Sequence, residues 1–240
     1  MTFFMPPIAI VPYIYILAAV LPAVFLLFYI YRQDNVEKEP FSLLLVLIVL
    51  GVVSALCSLV LEGMGKKILD SMIDRSSPFH TIAMAYIVVA AVEEGTKFYF
   101  LYRRTWLSPA FNYRFDGIVY SVFISLGFAA FENISYVMSY GLAVALPRAL
   151  LAVPGHMGFA VFMGLFYGRA KLCERRSNRK KKRLNLIIGY LSAVALHGYY
   201  DACAMIGGTG ATVLFVIFVL MMYLFVFKLI KNQAQTDEPV

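Results

Sequence analysis

The stretch VVAAVEEGTK, residues 88–97, places two adjacent glutamates and a lysine inside an apolar run that extends over residues 79–102. An ionisable side chain within a membrane-spanning helix costs about 2.5–3.5 kcal/mol on insertion scales, so it needs a partner or a function. Glu93 and Glu94 lie four and three residues before Lys97, on a shared helical face. Because one lysine balances only one carboxylate, the stretch predicts a functional site within a membrane helix.

The composition of the whole chain agrees with a membrane location. Of its 240 residues, 61% are hydrophobic and only 15% are charged. Soluble domains are nearer half apolar and about a quarter charged. A disordered chain would be far less hydrophobic, and three cysteines are too few for a disulfide scaffold. The sequence therefore predicts one integral membrane domain over residues 1–240.

Runs of apolar residues set the number of membrane spans. A spanning helix needs about 20 mostly apolar residues, and its backbone must be helical because lipid offers no hydrogen-bond partners. We predict an all-α polytopic transmembrane helical bundle of about seven spans. The predicted spans are residues 8–31, 41–62, 79–102, 116–138, 143–168, 184–206 and 211–231.

Basic residues predict the orientation of these spans. The loop after the fifth span, from Arg169 to Arg183, is rich in lysine and arginine, which keeps short loops cytoplasmic. Because successive loops lie on alternate sides of the membrane, this loop predicts an N-out, C-in topology. Only the basic residues between 66 and 75 lie on the side that this rule does not favour. The same loop favours contact with anionic lipid headgroups over nucleic acid. We therefore expect the lipid bilayer, and no nucleic acid, as a partner.

Further ionisable residues interrupt the fourth, fifth and sixth spans. Glu132 lies beside Asn133, His156 follows a Pro-Gly pair, and His197 is four residues before Asp201 on one helical face. Each has a structural interpretation: a protonated glutamic acid, an inter-helix hydrogen bond, or a histidine–aspartate pair. Since no one helix can pair them all, we expect them to converge inside the bundle.

Arg148 and Asp116 lie nearer the span ends and receive simpler interpretations. We expect Arg148 to extend its guanidinium to the membrane interface. Asp116 precedes Gly117 at the start of the fourth span, and we expect it to cap that helix.

Carboxylates and histidines in a membrane cavity can activate water. One glutamate accepts the proton, and imidazole N–H groups stabilise the developing oxyanion. The spacing of Cys57, Cys173 and Cys203 does not suit a zinc site. From composition and spacing alone, the chain has a polar intramembrane site able to perform acid–base or metal chemistry.

The ordered set of motifs resembles the PrsW family of bacterial intramembrane proteases over about residues 32–205. The set comprises Glu93-Glu94-x-x-Lys97, Asp116-Gly117-Ile118-Val119-Tyr120, Phe128-x-x-x-Glu132-Asn133, Pro154-Gly155-His156 and His197-x-x-x-Asp201. The wider superfamily includes CAAX prenyl-endopeptidases and bacteriocin-processing or immunity proteins. Here Glu132 stands where those relatives have histidine, and Asp201 where they have asparagine, which favours PrsW.

The resemblance implies cleavage of a membrane-anchored protein, such as an anti-sigma factor, in the bacterial cytoplasmic membrane. It implies a peptidase with catalytic residues Glu93, Glu94, Glu132 and His197, supported by Lys97, Asn133, His156 and Asp201. In this reading Glu93 activates water and no cofactor is required.

Three alternatives remain open at this point. A zinc ion held by His156, His197 and either Glu93 or Glu132 would supply hydroxide at neutral pH. A proton-coupled transporter or channel also carries intramembrane glutamates and histidines. A non-catalytic immunity or scaffold protein would retain the motifs without the activity.

Overall fold

The computed structural model describes residues 7–240, with side chains from Pro12 onward; residues 1–6 of the predicted domain lie outside the described part. The prediction of an all-α architecture is confirmed. The helical elements are α1 (Pro7–Gln33), α2 (Phe41–Met72), α3 (Pro78–Ala83), a π-helical segment (Met84–Ala90), α4 (Ala91–Thr105), α5 (Asp116–Tyr140), a 3-10 turn (Leu142–Val144), α6 (Ala145–Leu150), α7 (Ala152–Arg175), α8 (Arg179–Ile206) and α9 (Gly208–Gln235).

Five helical segments within the described residues are long and apolar enough to cross a membrane. They are Pro12–Gln33, Phe41–Met72, Asp116–Tyr140, Leu142–Arg175 and Gly208–Gln235. The other two predicted spans fall in the continuous helical run from Pro78 to Thr105 and in α8. Both carry ionisable residues of the predicted site, which lowers their apolar content. The count of seven spans and the N-out, C-in orientation stay predictions.

Local signals in the sequence explain where several helices begin and end. The Ser77 hydroxyl accepts from the backbone N–H of Phe79 at 3.2 Å, and Pro78 occupies the first helical position. The Asn178 side chain accepts from the N–H of Lys181 at 3.0 Å before α8. Gly141 and Gly207 end α5 and α8 with φ of 82° and 67°, a backbone conformation that suits glycine.

Helix α5 forms the centre of the bundle and is buried along almost its whole first half. Glycines let its neighbours approach closely, as is common between membrane helices. A Cβ added to Gly127 would lie 2.3 Å from the carbonyl oxygen of Ile48 in α2. One added to Gly117 would lie 2.6 Å from the backbone nitrogen of Gly168 in α7. Helices α2 and α7 therefore pack against α5 through backbone contacts.

Two predicted spans have different bounds in the structure. The second extends to Met72, so Glu62 lies inside α2 rather than at its end. The fifth is not continuous: α6 ends at Leu150 and α7 begins at Ala152, with Leu151 at φ −117° and ψ −58° between them. Pro154 lies in the first turn of α7, where its missing N–H costs no helical hydrogen bond.

The segments between alternate helices meet at one end of the bundle, which we call the loop end (residues 34–40, 106–115, 176–178 and 236–240). Asn112 donates to the Glu37 carboxylate at 3.0 Å, and the N–H of Arg114 donates to the carbonyl of Glu238 at 3.0 Å. The expectation that Asp116 caps α5 is wrong. Its Oδ2 accepts instead from the N–H groups of Asn112 and Tyr113, which order the preceding loop.

Candidate active site

The two glutamates of α4 surround the ammonium of Lys97. The Lys97 Nζ lies 3.1 Å from Glu93 Oε2 and 2.8 Å from Glu94 Oε1. It also lies 3.3 Å from His156 Nδ1 on α7 and 3.8 Å from the centre of the Phe128 ring. Lys97 is 1% exposed and Glu94 fully buried, so this charge cluster is sealed from solvent on the α4 side.

The π-helical segment immediately before α4 positions the glutamates. Its last hydrogen bond runs from the N–H of Ala91 to the carbonyl of Tyr86, five residues back. The Tyr86 ring fits against Gly198 on α8, where an added Cβ would lie only 2.3 Å from the ring. The Tyr190 hydroxyl on α8 donates to the carbonyl of Ala91 at 3.0 Å. Helix α8 therefore fixes the start of α4 against His197.

His197 bridges the carboxylates of α4 and α8. Its Nδ1 lies 2.9 Å from Glu94 Oε1, and its Nε2 lies 3.3 Å from Asp201 Oδ2 and 3.9 Å from Glu93 Oε2. The imidazole stacks on the Phe159 ring of α7, with ring centres 4.8 Å apart. Carboxylates at both nitrogens suit a ring that donates from both, as protonated imidazole does.

Glu132 and Arg148 form the other side of the site. Glu132 Oε2 lies 3.0 Å from His156 Nε2 and 2.8 Å from the Arg148 guanidinium. Arg148 also donates to Asn133 Oδ1 at 2.9 Å and lies 3.8 Å over the Tyr136 ring. The expectation that Arg148 extends to the interface is wrong, because the Glu132 carboxylate and the Asn133 amide offer it stronger partners inside the bundle.

The structure thus brings every residue of the predicted site into one network of side-chain contacts. In order, the contacts run through Asn133, Arg148, Glu132, His156, Lys97, Glu93 and Glu94, His197 and Asp201. The network joins α4, α5, α6, α7 and α8. Asn133 takes part only through Arg148, and its amide also donates to the carbonyl of Ala19 in α1.

A cavity of about 540 Å³ adjoins this network. Glu93, Glu132, His156, His197 and Asp201 line it, whereas Glu94 and Lys97 lie behind the wall. Its remaining lining includes Arg148, Tyr136, Phe128, Phe159 and Glu62.

The sequence interpretation missed Glu62, because it stood at the last position of the predicted second span. The sequence contains a signal for it, because Glu62 is the only acidic residue in the apolar stretch between Phe41 and Lys66. The extension of α2 to Met72 makes it a half-buried carboxyl on the cavity wall.

Comparison with known proteins now decides the family. Residues 39–228 match a sequence model described as PrsW family intramembrane metalloprotease. The chain belongs to the PrsW family. It is therefore a membrane-embedded peptidase, as the motif resemblance implied. The matched region includes every residue of the network except its Ala19 partner.

Curated members of the PrsW family share most of the length of this chain. It is 37% identical to Protease PrsW of Geobacillus kaustophilus over 77% of this chain and 76% of that protein. It is 30% identical to Protease PrsW of Clostridioides difficile over 86% of each. The Halalkalibacterium halodurans protein is 30% identical over 92% of this chain and 97% of its own. No solved structure gives a significant match.

The hydrogen bonds of His156 define its tautomer in this PrsW protein. The Lys97 ammonium has only protons to offer, so His156 Nδ1 must accept from it. The remaining ring proton then lies on Nε2 and points at Glu132 Oε2. A neutral His156 therefore connects the lysine to Glu132 and has no nitrogen free for a further ligand.

The metal implied by the family description can be tested against the donor set. Glu93, Glu94, His156 and His197 each offer a ligand atom, and these atoms lie within 4.8 Å of one another. Two carboxylates and two imidazoles suit zinc by type, and Glu94 Oε2 is buried without a hydrogen-bond partner. Glu132 lies outside this set. However, Lys97 contacts Glu93, Glu94 and His156, so the arrangement described does not fit a metal ion.

Proposed function

We propose that this PrsW protein is an intramembrane endopeptidase that uses a glutamate-activated water to hydrolyse a peptide bond of a membrane-tethered protein. The supporting observation is that Glu93 and His197 both face the cavity with their reactive atoms 3.9 Å apart. A base and a hydrogen-bond donor on one cavity wall are what water addition to a carbonyl requires.

Glu93 is the general base in this proposal. Water in the cavity gives a proton to Glu93 as its oxygen bonds to the substrate carbonyl carbon. The Nε2–H of His197 stabilises the oxyanion that forms. The C–N bond then breaks as Glu93 passes the proton to the leaving amine. Asp201, ionised, has no proton to donate to the oxyanion and serves to position His197.

The other residues of the network hold these two in place. Glu94 is behind the cavity wall, where it binds both Lys97 and His197. Glu132 lines the cavity and assists in holding water beside Glu93. His156 and Arg148 position Glu132, and Asn133 positions Arg148.

We further propose a single domain with about seven spans, N-out and C-in, in the bacterial cytoplasmic membrane. Contacts among the loop-end segments support this, because alternating crossings bring every second connection to the same side. The basic loop after the fifth span lies at this end, which is then cytoplasmic. A membrane-anchored protein of the anti-sigma-factor type is the proposed substrate, with the bilayer and no nucleic acid as the other partner.

Reconstituted protein tests the proposed activity directly. Proteoliposomes would contain the enzyme and a single-pass fluorescent substrate with a short outer segment. Glu93→Gln and His197→Gln are compared with Glu174→Gln, which changes a carboxylate that contacts Trp106 and Lys182 near the loop end. We expect Glu93→Gln to lower the cleavage rate by about 10²–10⁴-fold, and Glu174→Gln to leave it within about twofold.

The other readings predict different outcomes in the same liposomes. Cleavage that persists in both Glu93→Gln and His197→Gln would exclude the proposed site. Cleavage abolished by a chelator and restored by zinc would favour the metal route. Proton-linked flux without cleavage would indicate a transporter, and neither activity would indicate a scaffold.

A further inference from the structure

The position of Lys97 has a consequence for metal binding. Its ammonium lies between 2.8 and 3.3 Å from Glu94, Glu93 and His156. These are three of the four side chains whose ligand atoms cluster within 4.8 Å. The lysine therefore lies beside the position that a metal ion would need to occupy.

A metal ion and this ammonium compete for the same electron pairs. Zinc binds carboxylate and imidazole atoms at about 2.0–2.2 Å, in a tetrahedral shell that excludes another cation. Here Glu94 Oε1 accepts from Lys97, and His156 Nδ1 does the same. The other nitrogen of His156 is directed at Glu132, and both nitrogens of His197 face carboxylates.

Lys97 is buried and contacted by several side chains. It is 1% exposed, and its ammonium lies 3.8 Å from the centre of the Phe128 ring. A cation over an aromatic face is itself favourable, more so when it is desolvated. The two carboxylates and the ring thus all contribute to holding the ammonium.

We infer that Lys97 is the resident cation of this site and takes the place of a metal ion. It donates to both Glu93 and Glu94 and so favours the ionised form of Glu93 beside the cavity. Two results follow: the native protein binds zinc weakly, and replacement of Lys97 by a neutral side chain of similar length creates a zinc site. The inference refines the proposed function, because it selects the glutamate mechanism over the metal route.

Metal binding by the purified full-length protein tests the inference without reference to cleavage. The wild type, Lys97→Met, Lys97→Arg and Lys38→Met are stripped with chelator in detergent and titrated with zinc, then with cobalt. Lys38 is the control, since it contacts backbone carbonyls of Tyr31 and Asp34 in the α1–α2 connection. Zinc affinity, cobalt absorption and the melting temperature are recorded.

We expect Lys97→Met to bind one zinc per chain at least 100-fold more tightly than the wild type does. It should show a tetrahedral cobalt spectrum and a melting temperature that zinc raises. Lys97→Arg and Lys38→Met should behave as the wild type. One tightly bound zinc in the wild type would overturn the inference, and so would a folded Lys97→Met that binds no better.

The wild-type titration decides the matter even if Lys97→Met fails to fold. Tight zinc binding there contradicts the inference, and weak binding supports it. A wild type that neither cleaves substrate nor binds zinc would refute the proposed function alone. A wild type that cleaves and holds zinc tightly would refute this inference alone.

Discussion

The carboxylates of the active site surround a buried ammonium, whereas three buried carboxylates near the loop end have no cationic side chain in contact with their oxygens among the described residues; these are Asp34, Glu39 and Asp116. Asp34 and Glu39, between α1 and α2, are almost completely buried. Glu39 accepts from the Tyr120 hydroxyl at 2.5 Å, and Asp34 Oδ2 has no hydrogen-bond partner. Asp116 accepts only from backbone N–H groups.

The difference shows two ways to keep acids inside a protein. In the active site, Lys97 donates hydrogen bonds to both Glu93 and Glu94, and its positive charge favours their ionised forms. At the loop end burial raises the pKa of Asp34 to about 6, against a smaller opposing effect of Lys38. Burial also raises the pKa of Glu39, against the hydrogen bond from Tyr120. The buried loop-end acids therefore bind protons at a higher pH than free carboxyl groups do, because burial disfavours their charged forms.

The largest expected effect is a loss of stability when a glycine next to either group of acids is replaced by alanine. Gly117 follows Asp116, and a Cβ there would lie 2.6–2.9 Å from three backbone atoms of α7. Gly198 follows His197, and a Cβ there would meet the Tyr86 side chain. Since backbone cannot rotate away, we expect Gly117→Ala to destabilise the protein by about 3 kcal/mol and Gly198→Ala by about 1–2 kcal/mol.

Unfolding in detergent measures this difference, with Gly63→Ala as the control because no atom lies within 4 Å of a Cβ there. That control should be neutral or slightly stabilising, since alanine favours helix. If Gly117→Ala is no more harmful than Gly63→Ala, the tight contact of α5 with α7 does not exist.

An intermediate effect is expected from the arginines of the two regions. Arg148 pairs with Glu132 inside the site, and Arg114 pairs with Glu238 at the loop end. Arg148→Gln leaves Glu132 with only His156, so we expect cleavage to fall about 10-fold, similar to the loss of other orienting partners. Arg114→Gln should keep cleavage within about twofold. Cleavage rates in proteoliposomes measure the effect of each substitution. Equal rates for the two variants would show that Arg148 does not contribute to the activity.

The smallest expected effect is a pH dependence of stability that arises at the loop end. An acid whose pKa is raised by folding holds its proton longer in the folded state, so stability falls as pH rises between the two pKa values. For Asp34 and Glu39 this window runs from about pH 4 to about pH 7. We expect the melting temperature to fall as the pH rises through that window.

The double variant Asp34→Asn, Glu39→Gln should flatten this dependence, because neither amide titrates. Glu37→Gln is the control, as Glu37 is exposed and contacts Asn112. Groups that face the pair, including Lys38, Asp116 and Asp237, stay unchanged. An unaltered pH profile in the double variant would place the titration elsewhere.

The sequence was sufficient to predict that the polar residues converge. An acid or a histidine in an apolar helix needs polar partners. In this sequence, ionisable residues on the other predicted spans could supply them. The helical class followed from the apolar runs, and the family followed from the order of the polar motifs. The catalytic roles assigned to Glu93, Glu94, Glu132 and His197 stay predictions, since geometry alone does not measure a rate.

What the sequence could not predict depends on choices that tertiary packing makes. Arg148 had two low-energy options, the interface and an internal carboxylate, and only the position of Glu132 decides between them. Glu62 looked like the end of a span because the polar residues after it are compatible with either a helix or a loop. The break between α6 and α7 lies at Leu151, three residues before Pro154.

The π-helical segment sets the angular relation between the two halves of its helical run. A π-type hydrogen bond spans one residue more than an α-type bond, and each residue of an α-helix turns the chain by about 100°. The π-type bonds between Met84 and Ala90 thus absorb one residue, which in a regular α-helix would turn the face of α4 by about 100° relative to α3. Removal of one residue there would relax the segment to an α-helix and leave the faces on either side aligned. The same deletion between Ala91 and Glu93 would rotate the base out of the cavity. In this run, the number of residues before Glu93 therefore sets the direction in which its side chain points.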